Sequence, residues 1–377
     1  MTIVADYIII GGGIAGLYTA WKLEHKHPKS TILILEKNKH LGGRLPMADF
    51  MDHHITRGAG IGRFPKDRLL MRLMKKLHMD VKVVTSTMDT VPKIPCKVDK
   101  IVEELKLKHY NRHNDDFETF YTKNRNDLKN FNQCVGFTDF LKADIEDTLY
   151  DYGFDDVSPT TRIIPINWDI MIDRLYSQLK NTRVLLNCRV CTVDPYEKYC
   201  MDSKGDVYWF KKAVIFATTI SALNSLQNMS PFFYRQISNV HSQPFIRSYA
   251  KIEPPLNLPH GIKTNNVLQK VIPIDDKEGI YMIAYADNKN ALAIHENPQL
   301  IHELVAPHKI IKLKSFFHNE GTHYFEPLPK NWRSRTGYLK YIQHPHKNVY
   351  IVGEMVSRNQ GWTEGALDSV HKIIRFI

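Results

Sequence analysis

The sequence predicts an α/β fold, a Rossmann-type nucleotide-binding domain joined to a second, α+β substrate domain. Three observations lead there. An apolar run ending in Ile8, Ile9 and Ile10 meets Gly11, Gly12, Gly13 and Gly16, and then a segment with Leu17, Ala20 and Leu23 on one side. That pattern is strand, tight turn and helix. Pro28 stops the helix, and Thr31 to Leu35 forms a second apolar strand closing on Glu36, 20 positions after Gly16. Finally, 377 residues with 43% apolar side chains are enough for two domains with their own cores.

The opening unit reads as a dinucleotide-binding βαβ half. Gly11 permits the turn, Gly13 lets backbone N–H groups approach a pyrophosphate, and Gly16 lets the helix lie close to the strand. The helix start at Ile14 and Ala15 offers donors and a positive dipole end to phosphates. Glu36, with Lys37 beside it, is placed to accept ribose hydroxyls, and its carboxylate argues against a phosphate there.

Gly42, Gly43 and Arg44 follow, so that Glu36 to Arg44 resembles the second signature of the flavin-containing amine oxidase superfamily. The resemblance implies FAD as cofactor, with Gly43 and Arg44 reaching its phosphates or the flavin edge. Arg57-Gly58-Ala59-Gly60-Ile61-Gly62-Arg63-Phe64 resembles the family's next landmark, a turn beneath the isoalloxazine ring, and implies that Gly60 and Ile61 lie against the cofactor. Arg63 has the alternative of pointing into the substrate cavity.

Leu69 to Leu77 reads as a helix leading away. From Thr85 to Gly136 the composition shifts to Lys, Asn and Asp, which marks an inserted second domain, and Gly136 to Gly153 recovers helical spacing through Phe137, Phe140, Leu141, Ile145 and Leu149. His109 and His113 stand four apart without an acidic partner and are read as exposed. Asn167 to Lys180 is a helix with an N-cap, its Trp168-Asp169 standing where the relatives often have a glycine pair. Val184 to Val193 and Tyr196 to Phe210 read as paired strands about the turn Ser203-Lys204-Gly205. By the resemblance, the backbone of Val190 holds the adenine, and Ala213 to Thr219 returns the chain to the nucleotide domain.

Further strands are expected at Arg247 to Ile252, Val267 to Ile272 and Tyr281 to Ala286. Many amine oxidases carry a lysine near the flavin in such a strand; the best match is Arg247, with Lys251 the other candidate, and arginine handles protons poorly. Asn348 to Glu354 and Gly361 to Leu367 resemble the family's closing signature, which implies FAD contacts from Gly353, Glu354, Trp362, Thr363 and Ala366. Tyr338 and Trp362 match two aromatic side chains that sandwich the substrate nitrogen. Gly337 stands where monoamine oxidases have the cysteine that bonds the flavin, so FAD is expected to be noncovalent. The implied domains are 1–75, 165–230 and 332–377 for FAD, and 76–164 and 231–331 for substrate.

The implied reaction removes hydride from a C–H next to nitrogen, with molecular oxygen as final acceptor, and yields an imine and hydrogen peroxide from an amine or amino acid. Two alternatives stay open: a desaturase or porphyrinogen-oxidase-like flavoenzyme, and a flavin-bearing protein that has lost turnover. A net charge of +11 is scattered without a long basic run, which argues against nucleic acid. No apolar run is long enough to span a bilayer, and no signal peptide is apparent, so the chain is expected to be soluble and cytoplasmic. Five cysteines give no even disulfide framework, which suits a reducing compartment. The Cys188/Cys191 pair falls in a strand, where positions three apart face opposite ways, so no metal site is expected.

Overall fold

A computed structural model describes residues 3–109, 115–154, 160–330 and 332–377. Two sheets organise them. The first has 7 strands in the order Thr182–Leu185, Ile32–Leu35, Ile3–Ile10, Val207–Phe216, Tyr199–Asp202 and Val190–Asp194, with Val349–Ile351 also paired to Val207–Phe216. Its centre is parallel, and its antiparallel edge is the hairpin about Ser203 to Gly205. Alternation along the central strands divides the core. Tyr7, Ile9, Ile32, Ile34 and Ile215 face one apolar layer with Leu17, Trp168 and Leu367, from the helices Ile14–Lys26, Trp168–Ser177 and Thr363–Ile373. Ile8, Ile10, Leu33, Leu35 and Phe216 face the other, with Phe233, Tyr338 and Ile342 from the helices Pro231–Ile237 and Arg335–Gln343. Such two-sided burial is what a parallel sheet requires.

The second sheet has 8 strands, ordered Lys309–Phe325, Val240–Glu253, Ile280–Asp287, Lys270–Asp275, Gly261–Thr264, Val84–Val91, Thr160–Pro165 and Ile61–Arg63. Beside it the helices Val98–Lys108, Phe117–Asn124, Leu128–Val135 and Ile145–Tyr150 enclose a core of their own around Phe117, Phe120, Phe131 and Phe140. Among the described residues, no helix is long and apolar enough to cross a membrane.

Several expectations are corrected. Cys96 and Cys134 form a disulfide with Cα atoms 5.4 Å apart, because the helical unit brings together residues whose spacing gave no sign of pairing. The Val184 to Val193 strand is two strands, since Asn187 turns at φ 54° and sends Thr182–Leu185 to Ile32–Leu35 but Val190–Asp194 to the hairpin. Gly136 to Gly153 is helical only at Ile145–Tyr150, because Gly136 ends the preceding helix in the left-handed region. His109 is buried, with its ring edge on Phe120; His113 lies outside the described residues.

Candidate functional site

The carboxyl ends of Ile3–Ile10, Ile32–Leu35 and Val349–Ile351 deliver Gly11, Glu36 and Gly353 to one edge of the first sheet, the usual crevice for ligands in such folds. The first helix starts after Gly13 with no side-chain cap and no acidic residue in its first turn, so its N–H groups at Ile14, Ala15 and Gly16 carry the positive end of the dipole. A Cβ on Gly16 would lie 2.0 Å from the Gly11 carbonyl oxygen, which explains the glycine. Gly13 faces Gly43, whose Cα is the nearest atom to a Cβ placed there, at 3.9 Å. Two opposed glycines leave a backbone-lined passage of the kind that a diphosphate occupies. Glu36 accepts the Gly12 N–H at 2.6 Å and the Asn38 backbone and side-chain N–H groups at 2.8 Å, leaving lone pairs for hydroxyl donors. Lys37 beside it is exposed, and Val190 begins its strand at the far side of the sheet, half-buried. Thr218 Oγ1 is buried without a partner, on a residue that touches the surroundings of both Gly11 and Gly353. An orphaned hydroxyl in this cradle fits a polar ligand.

The final segment is tied to the same edge. Arg44 Nη2 lies 3.0 Å from Glu354 Oε1, Arg44 Nη1 donates to the Gly321 carbonyl at 2.5 Å, and the Gly361 N–H donates to Glu354 Oε2 at 2.9 Å. His323 Nδ1 also hydrogen-bonds Glu354, while its Nε2 accepts from the Ile220 N–H. Burial raises the Glu354 carboxyl, but His323, Arg44 and the Gly361 N–H outweigh it and hold the group at about 2. Trp362 stands at the N-cap of the last helix, followed by half-buried Thr363 and buried Ala366. Glu364 accepts the N–H groups of Leu69 and Leu70 at 2.9 Å, capping the helix Arg68–Lys76 from outside.

The second sheet presents Arg247 to the glycine-rich turn. A Cβ on Gly60 would lie 2.8 Å from Arg247 Nη2, and Ile61 opens the strand that follows. Arg247 Nη1 donates to Thr56 Oγ1 at 2.6 Å, and its guanidinium lies over the Tyr285 ring at 4.1 Å. Tyr249 donates to the Thr56 carbonyl at 2.7 Å. Arg63 is held by Asp67 at 2.8 Å and stacks on Trp362 at 3.8 Å. His318 Nε2 bonds the Arg57 carbonyl at 3.0 Å. Lys251 lies elsewhere, 3.8 Å from Glu278.

Tyr338 is not brought to Trp362. It lies in the opposite apolar layer, 2% exposed, with its hydroxyl donating to the Gln236 carbonyl at 2.7 Å and its ring edge on Phe325 and Trp332. The helix Arg335–Gln343 buries Tyr338, Leu339 and Ile342 together, and that packing overrides the expected pairing of aromatics. Thr56, Tyr249, Tyr285 and His318 were missed. Tyr285 lay in an expected strand, but nothing local shows that its neighbour Arg247 also meets Thr56, 191 positions before that arginine.

A separate crevice is lined by Asp139, Asp147, Asp151, His323, Arg358 and Gln360 among others. Its acids are engaged: Arg335 holds Asp147 at 2.6 Å, Arg358 holds Asp151 at 2.5 Å, and Tyr152 donates to Asp139 at 2.5 Å.

A family model described as an NAD(P)-binding Rossmann-like domain matches residues 9–77. The uncharacterized protein R188 of Acanthamoeba polyphaga mimivirus is 36% identical over 76 residues, a match that spans 20% of this chain and only 15% of that protein. Among solved structures, wild-type putrescine oxidase bound to putrescine superposes with a TM-score of 0.76 at 13% identity, covering 100% of this chain and 99% of the enzyme. A CLA-producing fatty acid isomerase from P. acnes gives 0.73 at 14% identity, with 99% of each chain covered. These likenesses establish the fold from end to end: a Rossmann-like unit built into the architecture that putrescine oxidase and the isomerase share.

Proposed function

We propose that the chain is an FAD-dependent oxidoreductase that oxidises an amine or amino acid to an imine, with molecular oxygen taken to hydrogen peroxide. The observation that carries this reading is the Arg44–Glu354 pair, which joins the Gly42-Gly43 turn to the Gly353 turn over the same strand ends. Between them, Gly11, Gly13, Gly16 and Glu36 suit the diphosphate and ribose, the half-buried Val190 suits the adenine, and Gly60, Trp362 and Thr363 suit the ring. Noncovalently bound FAD supplies the hydride acceptor when present.

The chain's own residues orient and exclude water. Trp362, braced by Arg63, forms one wall, and Tyr285 with Arg247 another. Arg247 is a positioning group rather than a base, since a guanidinium keeps its proton. The domain division at residues 76–164 and 231–331 belongs to the same proposal. Purified protein is expected to be yellow, to release FAD on denaturation, and to make peroxide with amines or amino acids. Colourless protein that cannot be reconstituted with FAD is the result that defeats the reading. A second reading, action on a carboxylic acid without an amine, is favoured by the cationic surroundings of Arg247; flavin reduction by such acids, with none by amines, would select it.

A further inference from the structure

Arg247 is 3% exposed, and its Nε has no hydrogen-bond partner. Among the described residues it enters no ion pair; its neighbours are the hydroxyls of Thr56, Tyr249 and Tyr285, the Tyr285 ring and the Gly60 backbone, all of them uncharged. A guanidinium taken out of water without an anion is among the costliest arrangements in a protein interior. The nearby charges make the deficit larger. Arg44 and Arg57 lie close enough, together with Arg247, to disfavour charging of His318. Of these three arginines Arg44 is neutralised, by Glu354.

We infer that Arg247 binds the carboxylate of the substrate, so that the site takes amino acids or related acids rather than simple amines or diamines. The inference rests on the proposed flavoenzyme reading and narrows its substrate class. A carboxylate is planar and matches two N–H donors of a guanidinium side by side, which supplies the partner that Nε lacks. A protonated amine in the same place meets uncompensated positive charge and no acceptors but the hydroxyls of Thr56, Tyr249 and Tyr285, which already serve the guanidinium. Tyr285 beneath the guanidinium fixes its plane, and Thr56 fixes its rotation. Gly60 is needed because any side chain there would occupy the place of Nη2.

Calorimetric titration of the purified protein with benzoate and with benzylamine tests this, since the two share a ring and differ in charge. Wild-type protein is expected to bind benzoate and to bind benzylamine at least about 10-fold more weakly. Arg247→Met should weaken benzoate by about 100-fold or more, Arg247→Lys by about 10-fold, and Thr56→Val less than either. Benzylamine binding as tightly as benzoate, benzoate binding undiminished in Arg247→Met, or no binding of benzoate by the wild type would each overturn it. If Arg247→Met fails to fold, Arg247→Lys and Thr56→Val decide by the same criterion. The flavin spectrum of each sample separates the two proposals. Yellow protein that prefers the amine defeats the carboxylate site alone, whereas colourless protein that binds benzoate through Arg247 defeats the flavoenzyme reading alone. Arg247→Met protein that loses flavin but keeps benzoate would assign the residue to the cofactor and so overturn the inference.

Discussion

Replacing His318 by glutamine should change the pH range over which the fold holds. Burial first, and then the charges of Arg44, Arg247 and Arg57, take this imidazole from an ordinary 6.5 to about 4, against the opposing bond to the Arg57 carbonyl. The unfolded chain therefore binds a proton between those values that the folded chain refuses. The contribution is present above pH 6.5 and is lost as pH falls to 4, with an upper size of about 3 kcal/mol. Urea midpoints measured stepwise across that window should fall with acid in the wild type and stay flatter in His318→Gln. Glu354 acts in a lower window: its depressed carboxyl contributes stability above 4.5 that drains away as pH drops toward 2. Tyr338 gives a contrasting case. Tyr338→Phe strands the Gln236 carbonyl in an apolar layer, so the expected result is a loss of about 1–2 kcal/mol in chemical denaturation with turnover unchanged. A fall in turnover without loss of stability would return the residue to the site.

Elements here are held as much by one another as by their own sequence. The helix Arg68–Lys76 has Asp67 at its N-cap position without a side-chain cap bond, and takes its acceptors instead from Glu364 on the last helix. Glu364→Ala should cost about 1–3 kcal/mol, and the Leu69 and Leu70 amides should exchange with solvent faster while the Trp168–Ser177 helix keeps its protection. Unchanged exchange at those two amides would rule the cap out. Legibility follows the same division. The Ile3 to Glu36 unit was readable because its turn, helix and acid are all local, and the Ser203 to Gly205 hairpin because its turn residues adjoin its strands. The 17-residue strand Lys309–Phe325 was not, since it is half-exposed and pairs of like residues such as Phe316-Phe317 interrupt its alternation. Nor was the use of Tyr338 readable, because the motif around it also suits a helix with an apolar face. The environment of Arg247 lay furthest out of reach, being made by Thr56 and Gly60 from one distant stretch and Tyr285 from another.

For the molecule as a whole, the helical unit around Phe117 and Phe131 has its own core and its own disulfide. Cys96→Ser is therefore expected to loosen that unit by about 4 kcal/mol, a figure set by the 38-residue separation of the two cysteines. Limited proteolysis should show earlier cleavage within residues 94–154, with flavin content preserved; simultaneous loss of flavin would mean that the two cores are not independent. The pair Arg44 and Glu354 spans 310 residues of chain. Closing so long a loop delays the contact until most of the polypeptide is in place. A ligand that bridges the two turns binds only the finished arrangement, so it raises the melting temperature by mass action. Refolding from denaturant should then recover its near-ultraviolet signal earlier than its capacity to retain the ligand.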